Sequence, residues 1–159
     1  MESSKKNVIV EQTEKFAQLC SGRQKAFYQR MLCDLEEVKI SPLCEVFTKD
    51  EIEEIKRCVA PKKKECYRNA FELARLFHDR VQYVEGYATI AGVLPFEHAF
   101  NKVGDKYVDI TKEMALKEKP DEGEIYMKLG TYTVEECLDI MYETGVYGGM
   151  YYHTFFQDN

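Results

Sequence analysis

The run His98-Ala99-Phe100-Asn101-Lys102-Val103-Gly104-Asp105-Lys106-Tyr107-Val108-Asp109-Ile110-Thr111 decides how the chain is read. Gly-Asp between two strand-like segments is a two-residue hairpin signal. With Gly104-Asp105 as the turn, Val103 faces Lys106, Phe100 faces Asp109 and His98 faces Thr111. The two-residue period of a strand then puts His98, Phe100, Lys102, Tyr107, Asp109 and Thr111 on one surface of the ribbon. His98 and Asp109 become diagonal neighbours, about 7 to 8 Å apart at the backbone, which a carboxylate can span to an imidazole after modest strand twist.

Upstream, Cys66, Ala70, Leu73, Ala74 and Phe77 form one stripe at helical spacing, which predicts a helix from Glu65 to about His78 with Cys66 in its first turn. A helix N-terminus favours thiolate over thiol, and Lys62, Lys63 and Lys64 add positive charge nearby. A carboxylate-held histidine can take the proton of such a thiol. The implied constellation is Cys66 as nucleophile, His98 as general base and later acid, and Asp109 orienting the ring. Acyl transfer through a thioester is the corresponding reaction class. The Cys66 N–H is the first oxyanion donor expected. Asn69, one turn on, is a weaker second candidate that could bond substrate or His98, or simply sit on the helix surface.

Glu65-Cys66-Tyr67-Arg68-Asn69-Ala70, then Glu85-Gly86-Tyr87, then His98-Ala99-Phe100, then Tyr107-Val108-Asp109-Ile110-Thr111 resembles the transglutaminase-like branch of the papain-like thiol enzymes. The order Cys, His, Asp agrees with that family, and the likeness spans about residues 62 to 112, roughly a third of the chain. It departs at Phe100, where the family more often carries Trp, and at Ile110, where it more often carries Pro. The resemblance implies the same triad, no cofactor, and a protein, peptide or amide substrate. The family also includes members without activity, so a non-catalytic binding or regulatory module on the same fold is the alternative.

Around this centre the chain reads as α+β, with helices packed on an antiparallel sheet of three or more strands. Its 159 residues suit a single domain, with a helical part over residues 1–60 and a thiol-enzyme-like core with an aromatic tail over 61–159. Phe16, Leu19 and Cys20 share one helical face, and Phe27, Met31, Leu32 and Leu35 another, with Gly22 between them and Ser41-Pro42 closing the second segment. Thr48 with Glu51, and Thr133 with Glu136, are capping-box signatures for two more helices. Val81 to Ile90 reads as a strand, and Gly92 and Pro95 break the pattern before the hairpin. After Gly145, Gly148 and Gly149 the aromatic tail is open to three readings: a strand, a lid or an interface.

Composition bounds the function. Twenty-two basic against 28 acidic residues give a net charge of -6, which disfavours nucleic acid as a partner. No apolar run is long enough to span a membrane, and Met1 to Lys6 is polar with no signal-peptide core behind it, so a cytoplasmic protein with reduced thiols is expected. No Cys-x-x-Cys pair occurs and the three His are isolated from one another, so no metal site is expected; zinc on Cys66, His98 and Asp109 ranks last. Cys20, Cys33, Cys44, Cys58 and Cys137 are assigned to core packing, and Tyr67, Tyr87 and Phe100 to core or cleft walls. His153, within the aromatic tail, is expected to pack.

Overall fold

A computed structural model describes residues 7–158, and the polar opening Met1 to Lys6 lies outside them. The described chain is α+β. In order it forms α1 (Val8–Leu19), α2 (Gly22–Asp34), β1 (Glu36–Val38), a 3-10 turn (Leu43–Glu45), α3 (Lys49–Cys58), α4 (Cys66–Leu76), β2 (Val81–Ile90) and β3 (Leu94–Val103). Then come β4 (Lys106–Val108), a π-helical turn (Thr111–Ala115), β5 (Tyr126–Tyr132), α5 (Val134–Thr144) and α6 (Met150–Asp158). Helix starts follow local chemistry: the Asn7 side chain accepts the Ile9 and Val10 N–H groups, and both capping boxes close, Thr48 with Glu51 and Thr133 with Glu136.

The five strands pair antiparallel in the order β1-β5-β2-β3-β4. Just past β1, Ile40 bridges to Tyr107 and the Ser41 N–H donates to the Tyr107 carbonyl at 2.7 Å, so the segment after one edge strand pairs with the other. The sheet curls, and this contact brings its two edges together at one point. Gly86 makes the curl feasible: a Cβ there would collide with the Met127 carbonyl oxygen, beside the register shift between β2 and β5.

Each face of the sheet has its own core. Outside, α3, α4 and α5 cover Val81, Tyr83, Ala99 and Val108 with Ile55, Phe71, Leu73 and Cys137. Inside the curl, Ile40, Val84, Ala88, Phe100, Tyr107 and Tyr126 pack together. Alternation along β3 sends Ala99 outward and Phe100 inward, as the two-residue period requires. Burying a side chain such as Leu73, fully enclosed here, is worth about 1.5–3 kcal/mol.

Several expectations are corrected. The second helix stops at Asp34, because Leu35 turns extended and Glu36 to Val38 join the sheet through β5, far away in sequence. Pro95 lies within β3, opposite Thr89, where β4 is too short to pair and β3 is an edge. The hairpin register holds for Val103 with Lys106, Lys102 with Tyr107 and Asn101 with Val108. At Asp109 the chain leaves the ladder, so Phe100 does not pair with Asp109, nor His98 with Thr111. Of the five thiols assigned to core packing, Cys137 is buried and Cys20 half-buried, whereas Cys33, Cys44 and Cys58 are exposed. Their helices and turns are covered on one side only, and these thiols fall on the other. His153 is half-buried and paired with Glu143 at 3.0 Å. Among the described residues no helix is long and apolar enough to cross a membrane.

Candidate active site

The loop before α4 holds the nucleophile candidate. Lys64 adopts φ 64°, a left-handed turn that delivers Glu65 as N-cap and Cys66 as the first helical residue. The N–H groups of a first helical turn have no acceptor within the helix, so Cys66 presents its thiol at the positive end of α4. Asn69 fixes this loop. It is fully buried, its amide donates to the Lys62 carbonyl at 2.8 Å and to Thr111 Oγ1 at 3.0 Å, and its oxygen accepts the Lys62 N–H. Both amide protons are engaged, so Asn69 ties the Cys66 loop to the turn after β4 and has none left for an oxyanion. Neither surface nor His98 contact describes it.

His98 points into the mouth of the curl, between Phe96, Phe100 and Tyr126. Its Nε2 meets Asp109 Oδ2 at 2.7 Å, and both residues are buried. The departure of Asp109 from the ladder makes this contact: Asp109 Oδ1 accepts the Lys112 N–H at 3.2 Å, capping the π-helical turn, while Oδ2 faces the ring. Cys66, at the start of α4, is close enough to the ring to help raise its pKa. With Nε2 held by Asp109, Nδ1 is the nitrogen left for the thiol. Cys66, His98 and Asp109 are thus brought together in that order.

Burial pulls the His98 pKa down, but the charge and hydrogen bond of Asp109, helped by Cys66, raise it well above the ordinary histidine value. Burial alone would raise Asp109; the same ring and the hydroxyl of Tyr126 hold it below the usual carboxylate range. Tyr126 donates to Asp109 Oδ2 at 2.6 Å. It enters from β5, a strand without a sequence signal recognised above, and its role depends on a contact between strands distant in sequence.

Next to His98 opens a cavity of about 460 Å³, walled by Tyr67, Tyr87, Tyr28, Phe27, Tyr147 and Tyr152. The aromatic tail forms one side of it. Gly148, at φ +85°, lays its backbone on the Tyr67 ring so closely that a Cβ would contact ring atoms at 2.7 Å. Glu85, buried on β2, fastens the tail: Oε1 accepts the Tyr151 N–H at 2.9 Å and Oε2 the Tyr83 hydroxyl at 2.5 Å. Of the three readings of the tail, the described geometry is a helix with a cavity-lining approach. Among the described residues no group of three or more His, Cys, Asp and Glu side chains is arranged to hold a metal ion. Compared with protein-family models, with curated proteins and with solved structures, the chain matches none.

Proposed function

We propose that the protein is a thiol hydrolase or acyltransferase of the transglutaminase-like, papain-like kind, acting on a protein, peptide or amide. The observation that carries the reading is the buried 2.7 Å bond from His98 to Asp109, with the helix-start thiol of Cys66 close enough to interact with the same ring. Cys66 Sγ attacks the acyl carbon and its proton passes to His98; the Cys66 N–H faces the developing oxyanion. His98 gives that proton to the leaving amine as the C–N bond breaks, leaving a thioester. Water, deprotonated by His98, then attacks the thioester and releases the acid; an amine in its place gives transfer. Asp109 stays charged throughout and holds the imidazolium.

The competing reading is a binding module on the same fold, and the engaged amide of Asn69, which removes one expected oxyanion donor, is what favours it. Iodoacetamide alkylation, followed cysteine by cysteine by mass spectrometry across pH, separates the two. Cys33, Cys44 and Cys58 are more exposed than Cys66 and serve as internal standards. An enzyme site predicts that half-buried Cys66 outpaces all three below about pH 8 and loses the advantage in His98→Ala. A Cys66 that labels no faster than the exposed thiols leaves the binding module.

A further inference from the structure

The cavity beside His98 combines aromatic walls with one accessible carboxylate. Glu97 is exposed at its rim, next to His98 along β3 and opposite Tyr87 on β2. The Tyr67 hydroxyl donates to Glu97 Oε2 at 3.4 Å, and Tyr87, opposite Glu97 across the strands, lines the same cavity. Tyr28 stands near enough to feel its charge. No lysine or arginine lines the cavity among the described residues. The other lining carboxylate, Glu85, has both oxygens engaged by Tyr83 and Tyr151, so it holds the wall and leaves Glu97 to face a ligand.

A carboxylate met by a tyrosine hydroxyl in an aromatic-walled cavity, with no lysine or arginine in the described lining and the His98 ring already paired with Asp109, is complementary to an ammonium or guanidinium group, which gains a charge partner beside aromatic rings. The cavity, at about 460 Å³, has room for one such side chain with its adjoining peptide unit. Tyr67 also ties the cavity to the thiol, since it follows Cys66 in the first turn of α4. We propose that Glu97, with Tyr67 and Tyr87, is a specificity site for a basic side chain, of the lysine or arginine class, carried by the substrate next to the attacked acyl carbon. This rests on the thiol reading above for the position of the acyl carbon, but the cation site itself does not require turnover.

The test uses fluoromethyl ketones of Nα-acetyl-lysine, norleucine and glutamate, in which Cys66 Sγ would displace fluoride to leave a thioether. Labelling of Cys66 by the lysine probe is expected to be about tenfold faster than by the norleucine probe, with glutamate slowest. Glu97→Gln should bring the lysine-to-norleucine ratio close to one. Glu135→Gln, an exposed acid on α5 remote from the cavity lining, should keep it, which separates a local site from the general attraction of a chain of net charge -6. Equal rates in the wild type, a ratio that survives Glu97→Gln, or one lost equally in Glu135→Gln overturns the proposal.

A second arm keeps the two readings apart. In Cys66→Ala, titration with Nα-acetyl-lysinamide against Nα-acetyl-norleucinamide is followed through the Tyr67 and Tyr87 ring resonances. If no probe alkylates Cys66 but the lysine compound still shifts these rings selectively and Glu97→Gln abolishes the shift, the thiol reading fails and the cation site stands. If neither compound is preferred, the cation site is overturned even where alkylation proceeds.

Discussion

Tyr126 donates its hydroxyl to Oδ2 of Asp109 at 2.6 Å, the same oxygen that His98 Nε2 meets at 2.7 Å. Two donors on one carboxylate oxygen, with Oδ1 taken by the Lys112 N–H, leave Asp109 little freedom to rotate. Tyr126 is therefore a positioning residue. Tyr126→Phe keeps the ring in the inner core but removes the hydroxyl, and should cost about 1.5–3 kcal/mol of stability, the range for a hydrogen bond to a charged group. Urea unfolding measures the loss. Cys66 alkylation should slow and its pH profile shift, while the rates at exposed Cys33 and Cys44 stay put; an unchanged Cys66 profile would contradict the positioning role.

The His98–Asp109 pair predicts how stability varies with pH. Asp109 is held below its ordinary value of 3.8, so its contribution is present above that pH and is lost as the pH falls through the lower folded value. His98 is held above 6.5, so its contribution is complete below that and is lost as the pH rises through the higher folded value. Both contributions are complete only between pH 3.8 and 6.5, so stability has its plateau there and declines from 6.5 toward about 10 as His98 loses its proton. Asp109→Asn removes the charge partner from a buried ring and should lower the plateau by about 3 kcal/mol, with His98 then titrating below the ordinary histidine range under burial alone. Unfolding curves between pH 4 and 9 and imidazole NMR resonances check both statements.

Glu113, half-buried within the π-helical turn, accepts the Leu43 N–H at 3.0 Å. Burial, reinforced by the charge of Asp109, pushes its pKa up to about 7 despite that hydrogen bond. A raised carboxyl contributes stability that is complete below its unfolded value and lost as the pH climbs through the folded one. Relative to Glu113→Gln, the wild type should lose about 1 kcal/mol between pH 4.5 and 7.5, after allowance for the solvent that reaches a half-exposed group. A constant difference between the two chains over this window would contradict the assignment.

Glu85 fastens the start of α6 to β2 through the Tyr151 N–H. Glu85→Ala leaves that donor and the Tyr83 hydroxyl without their acceptor, at a cost of about 2–4 kcal/mol. The loss should be local first. Amide hydrogen exchange should quicken at Tyr151 and the following turn of α6 before the strands change, and α6 protection equal to the wild type would rule out the fastening role.

Much of the site is legible along the chain because it rests on short-range rules. Capping pairs, the stripe on α4 that begins at Cys66 and the Gly104-Asp105 turn each involve residues a few positions apart, and each yields an element where it was expected. The hairpin even brings His98 near Asp109, although the contact is made by a chain that leaves the ladder at Asp109 and not by the regular diagonal. β1 and β5 had no such signal. Glu36 and Glu37 are exposed, and β5 is half-buried over most of its length, so neither strand shows the clean alternation that marks a strand locally.

The sequence by itself determined the helix starts, the hairpin and the identity of a thiol, an imidazole and a carboxylate in one order, because these depend on backbone propensity and on spacing within one or two turns. Tertiary structure alone decided that Tyr126 reaches Asp109, that both amide protons of Asn69 go to the loop and to Thr111, and that Glu85 is satisfied while Glu97 is left facing a cavity. Each of those outcomes depends on which donor or acceptor a buried polar group meets. That is set by how the curled sheet and the helices pack, across separations in sequence that no local pattern spans.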